Sequence, residues 1–474
     1  MFARHCDGLR QVRHGKCFAR HCEELGRATW QIFCTSLRGA RQDDVAIYNM
    51  DCFASLAMTR EAPGYYACCT RSDAGSACDD GFIMTDTILC VDIGTTSLKA
   101  GLITADGEVV SFCSVPFEEP HDRFVACSWY DAFLRAAAEL SHGRETITVI
   151  GISISGNGPT VVTDIGFTFR WNEDTSAVAG LIPDCARTSL FIPKILSIKK
   201  QFPDVWKKTK NFFSGPEYLI YVLTGNAVTI LPEERFEKAY WNDEMLEACG
   251  IRNNLLPSFV KTGESCGFLN QNISLVSNLR FVQDCPVIAG GPDFVAALIG
   301  TGTLVSGRLC DRCGSSEGLN FCTDKILKGE GLRILPSVIS GLWNASYLIP
   351  NSGELTEEQR LAEVERGINS LKKAASEAGV QFPDEMAVTG GQTNDELLLR
   401  EKSERLGMKI LRPAVYNSGF VGEGSDSASS SGVHFVHSEL IGDACAAYSG
   451  ASGIYDSLQS AAEHIVKLES YTGA

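Results

Sequence analysis

No run of about 18 consecutive apolar residues occurs in this 474-residue chain, so the sequence offers no transmembrane helix and predicts a soluble protein. An excess of positive charge is also missing, because 42 lysine and arginine residues stand against 58 aspartate and glutamate residues, for a formal net charge of -16. Such a charge disfavours broad attraction to nucleic acid or to an anionic membrane, whereas local dipoles can still hold small anions. The expected partner is therefore a small molecule, with no nucleic acid and no membrane.

Cysteine is plentiful but shows no framework of regular spacings. The 19 cysteines are odd in number and follow no secretory signal, which predicts reduced thiols and a cytoplasmic location. Cys310 and Cys313 form a single Cys-x-x-Cys pair, and the second pair that zinc would need does not stand at a matching spacing. Ordinary thiols are the preferred interpretation of this pair, and a redox or metal role is the alternative.

The first 83 residues lack a sustained period of helix or strand. They hold eight cysteines and a repeated FARHC, and Met84 follows them directly before the stretch TDTILCVDIGTTS. We therefore expect residues 1–83 to be a poorly structured or non-native extension and the natural start to lie near Met84. Residues 422–432 are low in complexity and predict a mobile surface loop. The remaining length suffices for two substantial domains.

Residues 87–103, TILCVDIGTTSLKAGLI, predict two strands joined by a tight turn, and EVVSFCSVPF adds a third strand. Backbone N–H groups of Gly94, Thr95 and Thr96 would point into one concavity, an arrangement that binds phosphate oxygens. Lys99 can add a positive charge to the same anion, and Asp92 can position a hydrated magnesium ion. A plain hairpin turn, with the aspartate bonded to nearby N–H groups, is the alternative.

The second half opens with another glycine turn followed by an aspartate. In GGPDFVAALIG, Asp293 follows a strand and begins a predicted helix. A carboxylate in that position can accept the proton of a substrate hydroxyl as the hydroxyl attacks phosphorus. Helix capping is the alternative role for this aspartate. Farther on, Thr356 and Gln359 form a capping box, which predicts a long helix from Thr356 through about Ala378.

Two more glycine turns suit a nucleotide. The turn of Gly314, Ser315 and Ser316 can hold further phosphates. The strand before Gly390 and Gly391 ends without a side chain that would obstruct a flat ring, and GlnThrAsn opens the next helix. That combination predicts a nucleoside-binding turn.

The order of these motifs resembles the FGGY family of carbohydrate kinases, and pentulose and xylulose kinase-like members most of all. Asp-x-Gly-Thr-Thr stands near the start, Gly-Gly-x-Asp opens the second half, and Gly-Ser-Ser and Gly-Gly-Gln-x-Asn follow. The resemblance covers about residues 86–470. It implies an α/β protein with two domains of the actin/hexokinase (ribonuclease H-like) fold and a cleft between them. The N-terminal domain would span residues 84–289 and the C-terminal domain residues 290–474.

The activity that this resemblance implies is in-line transfer of the γ-phosphoryl group of ATP to a sugar or polyol hydroxyl, with ATP and Mg2+ as cofactors. Asp293 would be the general base, and Asp92 would lie near the magnesium ion. The nucleotide would contact Asp92, Gly94, Thr95, Thr96, Lys99, Gly314, Ser315, Ser316, Gly390, Gly391 and Asn394.

By the same resemblance, the sugar would be bound by Asp293 and two loops, residues 155–162 and 170–176. Asn157, Trp171, Asn172 and Asp174 are the candidates, because amides and carboxylates can bind sugar hydroxyls and an indole can cover a C–H face. The alternatives are that Trp171 is a core residue and that Asn157 merely turns a hairpin.

Two departures from the family pattern leave the acceptor undetermined. Thr175 and Ser176 stand where an arginine is common, and Phe294 follows the proposed base where a polar residue is common. The competing functions are an altered actin-like ATPase, in which Asp293 would orient water, and a nucleotide-binding regulatory protein without catalysis. A homodimer is left open.

Overall fold

The computed structural model describes residues 84–142, 146–274, 279–314, 316–413, 415–417, 433–435 and 437–470. The predicted extension over residues 1–83 and the predicted loop over residues 422–432 lie outside these ranges and stay predictions. Within the described ranges, no helix has both the length and the apolar composition that crossing a bilayer requires.

Strands and helices alternate along the described chain. The strands are β1 (Thr85–Ile93), β2 (Ser97–Ile103), β3 (Val109–Pro116), β4 (Ile147–Gly156), β5 (Val161–Thr163), β6 (Thr168–Phe169), β7 (Phe212–Phe213), β8 (Thr229–Leu231), β9 (Phe259–Lys261), β10 (Ser265–Phe268), β11 (Arg280–Phe281), β12 (Pro286–Pro292), β13 (Leu309–Cys313), β14 (Glu317–Thr323), β15 (Leu332–Pro336), β16 (Trp343–Ile349), β17 (Glu385–Gly390), β18 (Lys409–Pro413), β19 (Val415–Asn417), β20 (Val433–Phe435) and β21 (Leu468–Ser470). The helices are α1 (Trp129–Leu140), α2 (Ile192–Gln201), α3 (Pro203–Lys208), α4 (Glu217–Thr224), α5 (Asp243–Ala248), α6 (Gln271–Ser274), α7 (Asp293–Gly300), α8 (Glu357–Ala378), α9 (Glu396–Leu406), α10 (Ser438–Ser449) and α11 (Leu458–Ile465).

The first large sheet has the strand order β10-β12-β4-β1-β2-β3, with β11 beside β4. Strands β1, β2 and β3 form the predicted antiparallel meander, and β4 runs parallel to β1. Leu89 and Val91 pack in the same core as Phe133 of α1, whereas Ile88 and Cys90 pack on the α10 side. Burial on both faces explains why β1 is an unbroken apolar run rather than an alternating one.

The second large sheet has the order β15-β16-β14-β13-β17-β18-β21. Its β13–β14 hairpin is antiparallel, and β17 runs parallel to β13. Val364 and Ile368 of α8 pack against Leu319 and Phe321 of β14 in a core that belongs to this sheet. The glycine turns predicted at Gly314 and at Gly390–Gly391 therefore lie at the ends of two neighbouring strands, β13 and β17.

Helix α8 begins as the sequence predicts. The Thr356 hydroxyl accepts the N–H of Gln359 at 3.3 Å, and the Gln359 side-chain oxygen accepts the N–H of Thr356 at 3.0 Å. These reciprocal bonds satisfy two N–H groups that a helix start leaves free. Gly379 ends the helix in the left-handed conformation, with φ of 64°. The predicted capping box is confirmed.

Helices α7 and α10 touch backbone to backbone. A Cβ atom at Gly442 of α10 would lie 1.9 Å from the carbonyl oxygen of Ala296, and one at Gly300 of α7 would lie 1.8 Å from the carbonyl oxygen of Ser438. Real Cβ atoms do not approach oxygens that closely, so only glycine fits at either position. This contact places the beginning of α10 beside the helix that Asp293 begins.

Helix α10 is also fixed to the first sheet by a buried carboxyl group. The Asp443 side chain accepts hydrogen bonds from the hydroxyls of Ser155, at 2.8 Å, and Ser153, at 3.4 Å, both in β4. Burial raises the pKa of Asp443 well above its usual value. A Cβ atom at Gly290 would lie 2.1 Å from this carboxyl group, so glycine makes room for it. Gly290 and Gly291 lie within strand β12, which continues to Pro292, so the glycine turn predicted before Asp293 is wrong.

The close contact of α7 and α10 predicts a large effect of one methyl group. Gly442→Ala should lower the free energy of unfolding by about 1–3 kcal/mol, because overpacking against a backbone carbonyl outweighs the gain of about 1 kcal/mol in helix propensity. Gly180→Ala is the matched control, because a Cβ atom there meets nothing within 4 Å. Denaturant unfolding measures both, and equal stability of the two variants would contradict the packing argument.

Candidate active site

Asp92 and Lys99 form an ion pair across the first hairpin. They are direct partners in the register of β1 and β2, and Lys99 Nζ lies 3.3 Å from Asp92 Oδ2. Burial raises the pKa of Asp92, and the charge of Lys99 opposes that rise. The predicted magnesium ligand and the predicted phosphate-binding lysine are therefore neighbours at the end of a buried strand.

The turn between β1 and β2 uses one of its predicted phosphate-binding groups internally. The N–H of Gly94 donates to the carbonyl oxygen of Ser97 at 2.9 Å, which leaves the N–H groups of Thr95 and Thr96 as the candidates from the predicted trio. The Thr95 hydroxyl donates to the side-chain oxygen of Asn157 at 3.2 Å. A residue predicted to bind the sugar thus contacts the hairpin predicted to bind phosphate.

Asp293 joins the two large sheets. Its Oδ1 accepts the N–H of Phe294 at 2.7 Å, and its Oδ2 lies 3.2 Å from Nη1 of Arg312 in β13. The side chains of Asp293 and Arg312 are 25% and 24% exposed, so a ligand can reach both. An ion pair at the start of α7 therefore connects Asp293 to the strand that precedes the second glycine hairpin.

The charges of the site influence one another. Burial raises the pKa of Asp293, Arg312 opposes the rise, and the carboxylate of Asp92 adds to it. Burial alone would lower the pKa of Lys99, but the carboxylates of Asp92 and Glu439 outweigh it, and the pKa of Lys99 is raised. Asp92, Lys99 and Asp293, three predicted site residues from distant parts of the chain, lie within electrostatic reach of each other.

The beginning of α10 adds groups that sequence analysis missed. Glu439 raises the pKa of Asp92 through its negative charge, and burial with the nearby Lys99 lowers the pKa of His437 to about 3. Asp92 Oδ1 and Glu439 Oε2 are buried and have no hydrogen-bond partner among the described residues. Carboxylate oxygens are the ligands that Mg2+ prefers, so these two orphaned atoms fit a hard divalent cation.

The second hairpin and the strand end beside it are closely packed. The N–H of Gly314 donates to the carbonyl oxygen of Ser316 at 3.1 Å, while Ser315 lies outside the described residues. Gly390 has φ of 94°, and a Cβ atom there would lie 2.1 Å from the carbonyl oxygen of Cys313. Glycine is therefore required at position 390 because the backbone of the neighbouring strand β13 lies too close for a side chain, and not because a pocket opens there.

Gly391 differs from its neighbour. A Cβ atom at Gly391 meets nothing within 4 Å, so the space beside it is open, as a flat ring would require. The side chain of Asn394 lies outside the described residues, and its predicted role in the nucleoside pocket stays a prediction.

The predicted sugar residues after β6 do not join this cluster. Trp171 is half-buried, and Asn172 and Asp174 are exposed. Asp174 accepts the N–H of Ser176 at 2.9 Å and its hydroxyl at 2.6 Å, and these bonds lower the pKa of Asp174. Across the described ranges, no hydrogen bond or ion pair connects these three residues to the acidic groups of the site.

The alternatives for the two sugar loops were that Trp171 is a core residue and that Asn157 turns a hairpin, and neither applies. Trp171 is not a fully buried core residue. The turn at Asn157 does not close a hairpin either, because β5 pairs with β6 and β7 in a small separate sheet and not with β4. The N–H of Asn157 donates to the carbonyl oxygen of Ile93 at 2.9 Å, so the turn returns to the first phosphate hairpin.

Arg312 and Glu439 are the functional candidates that sequence analysis missed. Arg312 is a charged residue within a strand whose neighbours are buried, and that pattern is the signal that could have found it. Glu439 lies in the first turn of a helix, where an acidic residue is common for reasons of helix stability alone. Phe294, the departure next to Asp293, packs beside Phe236 with ring centroids 6.3 Å apart.

Comparison with known proteins agrees with this geometry. Residues 185–300, which include Asp293, match the model of the FGGY family of carbohydrate kinases, N-terminal domain. A xylulose kinase of Lactococcus lactis subsp. lactis (strain IL1403) is 24% identical over 251 residues, which are 46% of this chain and 49% of that protein. The chain thus matches about half the length of this relative.

Solved structures resemble a larger part of the chain. A ligand-bound xylulose kinase from Lactobacillus acidophilus superposes with a TM-score of 0.62 at 14% identity and covers 82% of this chain and 93% of its own. A gluconate kinase from the same organism gives a TM-score of 0.62 at 15% identity with the same coverage. These likenesses show the two-domain actin/hexokinase fold, as predicted. The resemblance of this chain to the FGGY family of carbohydrate kinases is thereby confirmed.

Proposed function

We propose that this protein transfers the γ-phosphoryl group of ATP to a hydroxyl group of a sugar or polyol. The observation that carries the proposal is the placement of Asp293 at the start of α7, paired with Arg312 at 3.2 Å and within electrostatic reach of the Asp92–Lys99 pair. A carboxylate base beside groups suited to phosphate and magnesium is what phosphoryl transfer to a hydroxyl requires. The family resemblance of residues 185–300 supports the same reaction.

Asp293 acts as the general base in this proposal. The acceptor hydroxyl gives its proton to the carboxylate of Asp293, its oxygen attacks the γ-phosphorus, and ADP leaves. Burial raises the pKa of Asp293, which makes the carboxylate a stronger base, and the positive charge of Arg312 opposes that rise. The ion pair also fixes the orientation of the carboxylate, because Oδ1 and Oδ2 each have a partner.

The nucleotide contacts proposed for this chain lie on the two glycine hairpins and the open side of Gly391. Thr95 and Thr96 supply N–H groups from the first hairpin, and Gly314 and Ser316 lie in the turn of the second. Asp92 and Glu439 would hold Mg2+, and their buried oxygens without partners fit that ion. When bound, Mg2+ neutralises charge on the phosphate oxygens.

The acceptor side is proposed from Asn157 and Phe294. Asn157 contacts Thr95, so an acceptor bound to it would lie next to the phosphate hairpin. Phe294 and Phe236 form an aromatic contact beside the base, which favours an acceptor with an apolar face. Because matched relatives are named xylulose kinases, xylulose is the first compound to test in a coupled-assay screen of ketoses, aldoses and polyols with Mg-ATP. ATP turnover that is equal with and without every acceptor would favour an ATPase instead.

A cytoplasmic location is part of the proposal. The eleven cysteines whose state the structure describes are free thiols. Burial raises the pKa of Cys310 to about 12, so this thiol is a poor nucleophile and the Cys310–Cys313 pair does not resemble a redox site.

Asp293→Asn should lower kcat for phosphoryl transfer by about 100- to 10,000-fold, because the amide cannot accept the hydroxyl proton. Binding of Mg-ATP, measured by calorimetry, should change little. Asp204→Asn is the matched control, since Asp204 is 76% exposed in a surface ion pair. Unchanged transfer by the Asp293 variant would remove the proposed base.

Arg312→Gln should move the acidic limb of the kcat/KM profile to higher pH. The guanidinium stabilises the ionised form of Asp293, so its loss raises the pKa of that carboxyl, and the base is protonated at a higher pH than in the wild type. Arg312→Lys keeps the charge and should leave the limb closer to its original position. An unmoved limb in Arg312→Gln would show that Arg312 does not act on the base.

Asp92→Asn and Glu439→Gln should each raise the Mg2+ concentration for half-maximal activity by about tenfold or more, because each removes a proposed oxygen ligand or its charge. The stabilisation of the protein by Mg-ADP in thermal unfolding should fall in parallel. Asp204→Asn again serves as the control. A normal Mg2+ requirement in both variants would reject the proposed metal site.

A further inference from the structure

The ammonium group of Lys402 is fully buried at the centre of a polar cluster. Its Nζ lies 2.7 Å from Asp311 Oδ2, 2.7 Å from Glu317 Oε1, 2.8 Å from the side-chain oxygen of Gln392 and 3.3 Å from Cys313 Sγ. The side chains of Lys402, Asp311 and Glu317 are each 0% exposed. Burying an ammonium group costs free energy, and the hydrogen bonds and ion pairs with these partners must offset that cost.

The partners of Lys402 belong to the two loops proposed to hold the nucleotide. Asp311 lies in β13 and Glu317 begins β14, so they flank the connection between these two strands. Gln392 follows Gly391 in the turn that ends β17. We call the β13–β14 hairpin the second phosphate hairpin and residues 390–392 the adenosine segment. Lys402 lies in α9 and contacts residues of both from the buried side.

Further contacts make the connection tight. Glu317 Oε2 accepts hydrogen bonds from the Ser352 hydroxyl at 2.7 Å and from the Gln392 amide at 3.2 Å. Cys313 and Gly390 are direct partners in the parallel register of β13 and β17, and a Cβ atom at Gly390 would overlap Cys313. A shift of either turn must therefore break buried bonds or deform both strands.

The lysine makes this cluster unsuited to a metal ion. Ligand atoms of Asp311, Cys313 and Glu317 lie within 4.8 Å of one another, as metal ligands would, but the ammonium is in hydrogen-bond range of all three. Burial, followed by the charge of Glu317, raises the pKa of Asp311 to about 7, whereas the net pKa of Glu317 is lowered, because its hydrogen bonds and the charge of Lys402 outweigh burial. One ammonium thus balances a pair of carboxylates whose pKa values are shifted in opposite directions.

We propose that Lys402 is a positioning residue that fixes the second phosphate hairpin against the adenosine segment and thereby sets the affinity for the nucleotide. The inference rests on the proposed kinase function. Because the side chain is fully buried, it acts through the two turns and touches neither nucleotide nor acceptor. The affinity for Mg-ADP should depend on Lys402, and the KM for the acceptor should not.

The test compares two cluster variants with a control of similar kind. Lys402→Met removes the ammonium at nearly constant volume, and Glu317→Gln leaves Lys402 paired with Asp311 alone, so that no buried charge loses its only partner. Glu217→Gln is the matched control, because Glu217 is a buried carboxyl group bonded to Ser214 and Ile230 in the first half of the chain. Calorimetry gives the Kd for Mg-ADP, and initial rates give the KM for the best acceptor.

The Kd for Mg-ADP should rise by about tenfold in Lys402→Met and by a smaller factor in Glu317→Gln, with the acceptor KM within about twofold of the wild type. Glu217→Gln should keep the wild-type Kd. Should Lys402→Met fail to fold, Glu317→Gln decides. Wild-type affinity for Mg-ADP in the folded variants would overturn this inference alone, and so would an equal rise in the control. Absence of Mg-ADP binding by the wild type would overturn the proposed function together with it.

Discussion

The backbone contact between α7 and α10 is the constraint on which the site depends. Gly300 and Gly442 allow the two helices to approach until a Cβ atom on either would overlap a carbonyl oxygen of the other. Asp293 begins α7 and Glu439 lies in the first turn of α10, and each interacts electrostatically with Asp92 near the end of β1. Asp443 then fixes α10 to β4 through two serine hydroxyls. Two glycines therefore set how closely the helices that carry Asp293 and Glu439 approach each other.

The charges gathered in this way explain how an acidic chain can bind an anionic ligand. When ionised, Asp92, Asp293 and Glu439 carry three negative charges against the two positive charges of Lys99 and Arg312, while His437 is neutral because burial lowers its pKa to about 3. Such a site does not attract a free anion by charge. In the proposed function the site accepts a nucleotide together with a divalent cation, and the N–H groups of the hairpins hold the phosphates as local dipoles.

Local features of the fold were predictable from nearby residues, and the family resemblance predicted that Asp92 and Asp293 lie near each other. The other side-chain contacts between distant segments were not predictable. The β1–β2 hairpin and the capping box at Thr356 follow from residues a few positions apart, and the structure has both. The roles proposed for Arg312, Glu439 and Lys402 depend on contacts with residues that are distant in the sequence. No spacing in the sequence predicts those contacts. Gly390 shows the intermediate case, because the need for glycine was predicted but its cause is the carbonyl group of Cys313.

In the proposed reaction, fewer side chains are available to bind the acceptor than the sequence motifs predict. Asp174 has both carboxylate oxygens engaged by Ser176, on an exposed turn, so it would have to exchange these bonds to bind a sugar. Asn157 is already in contact with the phosphate hairpin through Thr95. An acceptor hydroxyl that bonds to Asn157 would therefore compete with, or extend, a bond that orients the hairpin. In the proposed reaction, acceptor and phosphate binding are then coupled through one side-chain contact, whereas the proposed role of the buried cluster around Lys402 concerns the nucleotide alone.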